Sequence, residues 1–358
     1  MLVNFRIMRL ASIELYGLGA LSGVKLAFGE EPRALTVLFG GDGVGKTTVL
    51  GAIASTRPGH AIPLLPRRAR VEGEPREAPF AVSDWMLGDD DPERPHALRV
   101  VSPNAQLPDD GGETALRRRE QALFDKRAQE HGGHAFAAFS GARWFSRTPL
   151  VLATPERTVL RYDVRVAPSF DDATRADLTR DTKQVLSFAG IGCALETTHG
   201  GPKEMAAFDA ALREAAALVL APFGAEYEGV HAKTLEPMFT FEGREAALED
   251  LPRGARHLVA IASLSVRALT GAYAESERPI REREGVVVVD DLEANQDAGL
   301  LRHLPSLLKT VLPRVQWIVA TASAAVTLGC ERDEVIALRR DLDVDRVVVH
   351  EGAFAVLH

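Results

Sequence analysis

The sequence predicts an α/β fold with a mostly parallel central sheet, an antiparallel N-terminal sheet and a helical or mixed insertion. Two observations indicate it. From residue 254 onward, short apolar segments of strand length alternate with segments of helix length, a pattern typical of parallel strands covered by helices on both faces. Near the N-terminus, strand-like segments at 9–15 and 24–28 flank a glycine-containing turn, as in an antiparallel pair.

Length and composition predict a large packed core. The chain has 358 residues, which suggests about two domains or one large α/β domain with an insertion. Hydrophobic residues make up 46% and the net charge is −8, so bulk charge does not favour a protein that coats nucleic acid. Three local basic clusters are either solvated surface or part of a nucleic-acid groove: Arg67-Arg68 with Arg70, Arg117-Arg118-Arg119 and Arg339-Arg340.

Targeting and redox signals are weak in this chain. No apolar run approaches the roughly 20 residues that a membrane-spanning helix needs, and the first residues lack the long apolar stretch of a signal peptide. Cys193 and Cys330 form no metal-binding or disulfide pattern. We therefore expect a cytoplasmic protein without a membrane partner.

The strongest motif is residues 40–47, Gly-Gly-Asp-Gly-Val-Gly-Lys-Thr, which fits G-x-x-x-x-G-K-[ST]. It follows the apolar segment Leu35–Phe39, which predicts a buried strand, and it precedes residues 47–55, which predict a helix. Glycines allow backbone N–H groups to turn inward around phosphates, and a helix N-terminus adds the positive end of its dipole. The motif predicts a P-loop NTPase fold that binds a nucleoside triphosphate here.

The motif also assigns individual roles. Lys46 is predicted to reach the β- and γ-phosphates and to take part in catalysis, and the Thr47 hydroxyl is predicted to bind Mg²⁺. The residues predicted to contact the nucleotide at this loop are Gly40, Gly41, Asp42, Gly43, Val44, Gly45, Lys46, Thr47 and Thr48.

The middle of the chain predicts a mixture of elements. Strands are predicted at Phe80–Met86 and Ala97–Val101, around an acidic turn, and again within 135–153 and at 159–166. Residues 114–129 predict a charged helix, interpreted as a surface helix with a lid or partner-binding arm as the alternative. Further helices are predicted at 171–186 and 205–220, followed by a strand at 235–241.

In the C-terminal third of the chain, predicted helices and strands alternate regularly. Helices are predicted at 254–269 and 298–312, and strands at 286–289, 316–320 and 334–338. Residues 346–350 and 353–357, separated by Glu351-Gly352, predict a hairpin.

The second strong signal is a run of four valines, residues 286–289, followed by Asp290 and Asp291. A buried strand of this kind delivers its acids to the ligand edge of an α/β sheet. Asp290 is predicted to hold Mg²⁺ and Asp291 to polarise the attacking water. Lys46 and Asp290 are 244 positions apart, a separation that disfavours small P-loop kinases and GTPases and favours a large insertion between two halves of the sheet.

Three segments of the chain resemble ABC-type P-loop ATPases, in particular the soluble RecF/SMC-like branch with its OLD-like members. These segments are G-V-G-K-T-T-V-L-G-A-I at 43–53, L-P-R-G-A-R-H-L at 251–258 and V-D-D-L-E-A-N-Q-D at 289–297. Members of that branch often read LSSGER at the second place and DEPE or DEIE at the third. The resemblance covers residues 9–56 and 251–350.

The resemblance implies a soluble ATPase that binds ATP and Mg²⁺ between two heads of a homodimer. One head supplies the phosphate loop and the acids, and the other supplies a signature loop whose Gly254 and Arg256 contact the nucleotide. Residues 1–56 would be the N-terminal half of the head, 57–250 a peripheral sheet and insertion or lid, and 251–358 the C-terminal half. ATP rather than GTP follows from the resemblance, since no N-K-x-D motif occurs in the chain.

Three positions depart from the family pattern. Pro252 stands where a signature serine is usual, Asp291 where the catalytic glutamate is usual, and Ala322 where the switch histidine is usual. Each lost transition-state contact costs on the order of 10²-fold in rate. The sequence therefore predicts tight ATP binding and slow hydrolysis.

The roles of two further residues are not decided by the sequence. Gln106 is the candidate for the glutamine of the lid loop, and Glu293 either helps to position Mg²⁺ or water or is a solvated acid.

Two functions remain open, and a third is disfavoured. The first is an ATPase whose ATP-gated dimer acts on DNA, in genome maintenance or anti-phage defence, a role given by family analogy alone. The second is a nearly inactive ATP-binding scaffold for a partner effector protein, which the three departures favour. A transporter ATPase subunit is disfavoured by the long insertion and by a signature that is not LSGGQ.

Overall fold

The computed structural model describes residues 9–29, 33–58, 61, 64, 79–86, 97–103, 112–131, 135–152, 177–200, 203–272, 278–341, 343 and 345–352. Its strands are β1 Arg9–Tyr16, β2 Val24–Ala27, β3 Leu35–Phe39, β4 Phe80–Met86, β5 Ala97–Val101, β6 Phe136–Phe139, β7 Ala225–Val230, β8 Pro237–Phe241, β9 Arg244–Ala246, β10 Gly285–Val289, β11 Val315–Thr321, β12 Val335–Asp341 and β13 Arg346–Glu351. Its α-helices are α1 Lys46–Ser55, α2 Glu113–His131, α3 Thr179–His199, α4 Glu204–Leu220, α5 Arg253–Ala272, α6 Ala298–Leu301, α7 Leu304–Val311 and α8 Ala324–Thr327.

A six-stranded sheet in the order β13-β12-β3-β11-β10-β6 forms the centre of the fold. Every neighbouring pair is parallel except β12 with β13. Strand β10 is buried along its whole length, and so is β11, as their continuous apolar runs predict for strands covered on both faces. The predicted α/β class with a mostly parallel sheet is confirmed.

The two faces of this sheet enter two different cores. Alternate side chains of a strand point to opposite faces, so Val286 and Val288 pack in one hydrophobic cluster while Val287 and Val289 pack in the other. The first cluster contains α1 and the antiparallel sheet. The second contains α3, α4, α5 and α7. The molecule therefore has three layers, with the parallel sheet in the middle.

The predicted antiparallel N-terminal sheet is also confirmed, with four strands in the order β2-β1-β4-β5. A buried glutamine side chain forms hydrogen bonds between it and the central sheet. Gln316, on β11, accepts a hydrogen bond from the backbone N–H of Leu10 at 2.8 Å and donates one to the backbone oxygen of Leu10 at 3.0 Å. Both backbone groups of a strand residue are thus satisfied from the neighbouring layer.

Helices α3, α4 and α5 pack against one another, and a three-stranded sheet, β7-β8-β9, lies beside them. Lys183 of α3 ties this layer to the segment before α5. Its ammonium lies 2.5 Å from a carboxylate oxygen of Glu249 and 3.0 Å from one of Glu236. Burial lowers the pKa of Lys183, but the two carboxylates outweigh it and the net direction is upward, so the pair of ion contacts remains charged at neutral pH.

Several sequence predictions need correction. The single helix predicted at 298–312 is two helices, α6 and α7, because Pro305 lacks an N–H and stands in the first turn of a new helix. Residues 150–152 form no strand. The last hairpin is formed by β12 and β13, and residues 353–357 lie outside the described residues.

Other elements were shifted or missed. Helix α3 runs to His199 rather than ending near 186, and β7 and β9 had no counterpart in the prediction. Residues 59–60, 65–78, 87–96, 104–111 and 153–176 lie outside the described residues, and with them the strand predicted at 159–166.

Within the described part of the chain, no helix is both long and apolar enough to cross a bilayer.

We expect Gln316→Leu to lower the free energy of unfolding by about 2 kcal/mol or more, because it leaves two buried backbone groups of Leu10 without a partner. Urea unfolding followed by circular dichroism measures the change. Glu245→Leu, on the exposed face of β9, introduces the same side chain and should shift stability by no more than about 0.5 kcal/mol. Equal stability of the two variants would contradict the structural role of Gln316.

Candidate functional site

The loop between β3 and α1 has the geometry that its motif predicts. Gly45 has a φ of +97°, and a Cβ on it would lie 2.5 Å from Cδ1 of Leu21. A Cβ on Gly40 would lie 2.5 Å from the backbone oxygen of Leu338. Neither position accepts a side chain. Gly41 and Gly43 instead face open space, so a ligand can approach the backbone of the loop closely.

Lys46 begins helix α1 and is almost completely buried by the loop. Its Nζ donates hydrogen bonds to the backbone oxygens of Gly40 at 2.7 Å and Gly41 at 3.0 Å. These carbonyls hold the ammonium at the mouth of the loop, beside the partly exposed Thr47. The cation and the hydroxyl that the motif assigns to phosphate and metal are therefore neighbours at the start of one helix.

Asp290 and Asp291 follow β10 at the same edge of the sheet. Asp290 is buried, and its backbone N–H donates to the backbone oxygen of Phe139 at 2.8 Å. Asp291 turns into the left-handed region with a φ of +44°, where non-glycine residues are uncommon. Burial and, next, Glu293 raise the pKa of Asp291, and Lys46 and Arg143 oppose this rise. Strands β3 and β10 run parallel on either side of β11, so the loop that carries Lys46 and the turn that carries Asp291 end at the same edge of the sheet.

Arg143, which the sequence analysis did not single out, fixes the acidic turn. It lies in the loop after β6, and its Nη1 donates to the backbone oxygen of Asp290 at 2.5 Å while Nη2 donates to that of Asp291 at 2.8 Å. Nη1 also donates to the backbone oxygen of Ser140 at 3.0 Å. Burial lowers the pKa of Arg143 to about 10, and the nearby acids oppose this, so the guanidinium stays charged at neutral pH.

Gly141 leaves room for the Asp291 side chain because it has no side chain of its own. A Cβ at position 141 would overlap Oδ2 of Asp291 and lie 3.0 Å from its Cγ. The carboxylate therefore packs directly on the backbone of the loop after β6. Sequence reasoning missed Gly141 and Arg143, because only the parallel pairing of β6 with β10 brings the loop after β6 to Asp290 and Asp291.

Glu293, for which the sequence leaves two roles open, is half-buried and hydrogen-bonded to the neighbouring loop. Its carboxylate accepts a hydrogen bond from the Thr321 hydroxyl at 2.6 Å and another from the backbone N–H of Ala322 at 2.7 Å. It thus ties the loop after β10 to the loop after β11, at the position where the resemblance places a switch histidine.

The start of α5 lies close to the segment after the acids. The backbone N–H of Arg256 donates to the oxygen of Pro252 at 3.1 Å, which opens the helix. Gly254 is buried, and a Cβ on it would lie 2.9 Å from Oε1 of Gln296 and 3.1 Å from the backbone oxygen of Asn295. The predicted signature segment and the predicted D-loop therefore touch within one chain.

Some predicted candidates fall elsewhere. Gln106 and the cluster Arg67-Arg68-Arg70 lie outside the described residues. Within the cluster at 117–119, Arg117 is buried in α2 rather than displayed on a surface. In the third cluster, Arg340 forms an ion pair with Asp345.

The residues present fit a nucleotide–magnesium pair. Among the described residues, no group of three or more His, Cys, Asp or Glu side chains could hold a metal ion by itself. Mg²⁺ is commonly bound through one or two protein oxygens together with substrate phosphates. Thr47 and Asp290 would supply that small donor set, and Gly41 and Gly43 leave open space beside the loop backbone, as phosphates need.

The solved structures that are similar to this chain include two kinds of protein. One is the SMC head, represented by a Pyrococcus furiosus head with an extended coiled coil bound to the C-terminal domain of ScpA (TM-score 0.47, 14% identity, 96% of this chain and 97% of that one). The head domain from Thermotoga maritima is similar as well (0.44, 12%, 96% and 98%). The other is the recombination mediator protein RecF in the RecFOR pathway (0.42, 14%, 94% and 97%).

The structural neighbours are therefore of the kinds that the sequence resemblance names. No protein-family model matches the chain, and no curated protein sequence matches it. With identities of 12–14% and TM-scores below 0.5, the function has to be inferred from the residues of this chain.

We expect Arg143→Ala to loosen the acidic turn, because the backbone oxygens of Asp290 and Asp291 lose their guanidinium donors. Amide hydrogen exchange in residues 290–296 should become faster while the interior of β10 stays protected, as for a local opening. Mass spectrometry of peptides after exchange measures this. Arg147→Ala, an exposed arginine in the same loop, is the matched control and should leave the exchange unchanged. Equal protection in both variants would rule out the positioning role of Arg143.

Proposed function

We propose that this protein binds ATP with Mg²⁺ at residues 40–48 and hydrolyses the ATP slowly. The observation that carries the proposal is that the glycine-rich loop with its buried Lys46 and the turn with Asp291 follow parallel strands of one sheet, at the same edge. A glycine-rich phosphate cradle, a buried cation and an acid of raised pKa are the parts that triphosphate hydrolysis requires.

Each part has a proposed role. The backbone from Gly40 to Thr48 binds the phosphates, and Lys46 neutralises their charge. Thr47 and Asp290 hold Mg²⁺, which supplies further charge neutralisation when it is bound. Asp291 orients a water molecule and accepts its proton, since a carboxylate with a raised pKa is a stronger base than a fully solvated one.

Slow turnover is proposed from three side chains. Asp291 is one methylene shorter than glutamate, and its carboxylate packs against Gly141 rather than extending from the sheet. Pro252 offers neither a hydroxyl nor an N–H at the start of α5. Ala322 offers only its backbone N–H, which Glu293 already occupies.

We also propose that ATP holds two copies of the chain together. In that dimer the phosphate loop of one copy faces the start of α5 in the other, where Gly254 and Arg256 contact the nucleotide. A helix N-terminus favours an anion, so α5 suits this role even without the signature serine. Within one copy, Gly254 lies against Gln296, in the segment that follows the acidic turn. A movement of that turn would therefore also move the start of α5 that faces the second copy.

The cellular role proposed is DNA maintenance or anti-phage defence, with ATP-gated dimerisation as the switch. A second candidate is an ATP-binding scaffold for a partner protein with little turnover. Pro252 and Ala322 favour this second candidate, because both lack the side-chain contacts that stabilise a transition state. Measurable ATP turnover that DNA stimulates would favour the first candidate, and little turnover would favour the second.

We expect Lys46→Ala to weaken ATP binding by at least tenfold, because the loop loses the cation that faces its phosphates. Isothermal titration with Mg·ATP measures the affinity. Lys25→Ala, which removes an exposed surface lysine paired with Glu14, is the control and should bind as the parent does. If Lys46→Ala binds ATP normally, the proposed nucleotide site is wrong.

We expect Asp291→Asn and Gly141→Ala each to lower phosphate release on the order of 10²-fold with ATP binding retained, because one removes the base and the other displaces it. A phosphate-release assay with and without DNA measures this. Gly299→Ala, where an added Cβ meets no atom within 4 Å, is the control. Measurable turnover in the parent that neither substitution affects would exclude Asp291 as the base. If the parent protein shows no turnover, the second candidate function, an ATP-binding scaffold, is the one that remains.

A further inference from the structure

Helix α2 packs against β5, at the edge of the antiparallel sheet, and the side that it buries is polar. Thr114, Arg117 and Gln121 share one face of the helix, since they are three and four residues apart, and each is only 7% exposed. A helix on the surface of a globular protein ordinarily buries its apolar stripe and exposes its polar one. In the described part of α2 this arrangement is reversed.

The leucines of α2 lie on the solvent side. Leu116 is 60% exposed and Leu123 is 55% exposed. Seven residues make almost two complete turns, so the two side chains lie in line on one face, about 10 Å apart along the helix axis. Apolar side chains aligned in this way, on a helix that buries polar groups instead, indicate a surface for a partner rather than scattered surface leucines.

Cations run alongside the two leucines. Arg119 lies about one turn after Leu116, and Lys126 repeats this position seven residues later. Both cations are exposed, and neither forms an ion pair within the described ranges. Glu120, on the other side of the leucines, is partly buried and already has a contact within the chain. We define the α2 stripe as Leu116, Arg119, Leu123 and Lys126. It is both apolar and basic.

We propose that the α2 stripe binds an acidic amphipathic helix of a partner protein. In paired helices, apolar residues that repeat every seven positions form the seam, and charged residues beside the seam bind opposite charges of the partner. Carboxylates of the partner would face Arg119 and Lys126, and its apolar residues would cover the leucines. This proposal does not depend on nucleotide binding, because residues 40–48 and 290–291 lie outside α2.

Charge and hydrophobicity together distinguish this partner from two others. A second copy of α2 would bring Arg119 and Lys126 close to the same two cations in either orientation, and like charges across an interface repel. The phosphates of DNA would bind the cations but would leave the leucines in water, because phosphate contacts come from charged and polar groups. An acidic helix with an apolar seam matches both parts of the stripe.

The test uses a fluorescein-labelled, stapled peptide of three heptads, with leucines along its seam and glutamates beside them. Binding is followed by fluorescence anisotropy without nucleotide. We expect saturable binding that becomes at least about tenfold weaker in the double variant Leu116→Ser/Leu123→Ser, because the apolar seam is lost. The matched control is Leu195→Ser/Leu328→Ser, which removes two exposed leucines elsewhere and should bind as the parent does.

Reversal of charge gives the second part of the test. Arg119→Glu/Lys126→Glu should bind the glutamate peptide about tenfold more weakly or worse, and should bind instead a peptide in which each glutamate is replaced by lysine. Lys233→Glu/Arg244→Glu, at exposed positions of the β7–β8 turn and of β9, is the charge control. The parent protein alone also tests the proposal. It should prefer the glutamate peptide to the lysine peptide and to a glutamate peptide with serines in place of leucines.

The proposal is overturned if the glutamate peptide shows no saturable binding, if the control pairs weaken binding as much as the α2 variants do, or if the parent binds all three peptides equally. Duplex DNA that displaces the peptide, and whose binding is lost on charge reversal but not on leucine replacement, would assign the stripe to nucleic acid. A nucleotide-free dimer in sedimentation that the leucine replacements dissociate would assign it to a second copy. Either result overturns the proposal.

The test also separates this proposal from the proposed nucleotide site. Lys46→Ala protein should bind the glutamate peptide as the parent does, and the α2 variants should bind Mg·ATP as the parent does. Failure of one proposal therefore leaves the outcome expected for the other unchanged.

Discussion

Parallel pairing of β3, β11, β10 and β6 is the constraint on which the site depends. Parallel strands end at one edge of a sheet, so four loops that are far apart in the sequence meet there. The loop after β3 supplies Lys46, the loop after β10 supplies the acids, the loop after β11 carries Ala322, and the loop after β6 supplies Arg143. The guanidinium of Arg143 then converts this proximity into a fixed arrangement, because it bonds to the backbone on both sides of the left-handed turn at Asp291.

The sequence predicted those parts of the site that are formed by short contiguous motifs. The glycines and Lys46 specify the loop within eight residues, and four valines followed by two aspartates specify the acidic strand. Arg143 and Gly141 were missed because their role arises from pairing between β6 and β10, and the contact of Arg143 with Asp290 spans 147 positions. The four residues of β6, Phe-Ala-Ala-Phe, also lack the β-branched residues that mark a buried strand.

Most elements of the fold were predicted, and the errors have physical causes. Pro305 was a visible signal for a new helix, but apolar periodicity across 298–312 masked it. The bond between Gln316 and Leu10 joins two layers across 306 positions and leaves no trace in local patterns. The region 57–250, predicted as peripheral sheet and insertion, also gives β6 to the central sheet and α3 and α4 to the core beneath it. A boundary drawn by position alone does not reveal such shared packing.

The hydrogen bonds of Glu293 couple the position of the loop after β10 to that of the loop after β11. Because both oxygens of its carboxylate accept hydrogen bonds from Thr321 and Ala322, the ends of β10 and β11 are clasped together. The clasp uses the backbone N–H of residue 322, so it is indifferent to the side chain there. A displacement of the turn that bears Asp291 would then carry the neighbouring loop with it. At the place where the resemblance would put a switch histidine, the chain thus has a link between two loops that needs no side chain at 322.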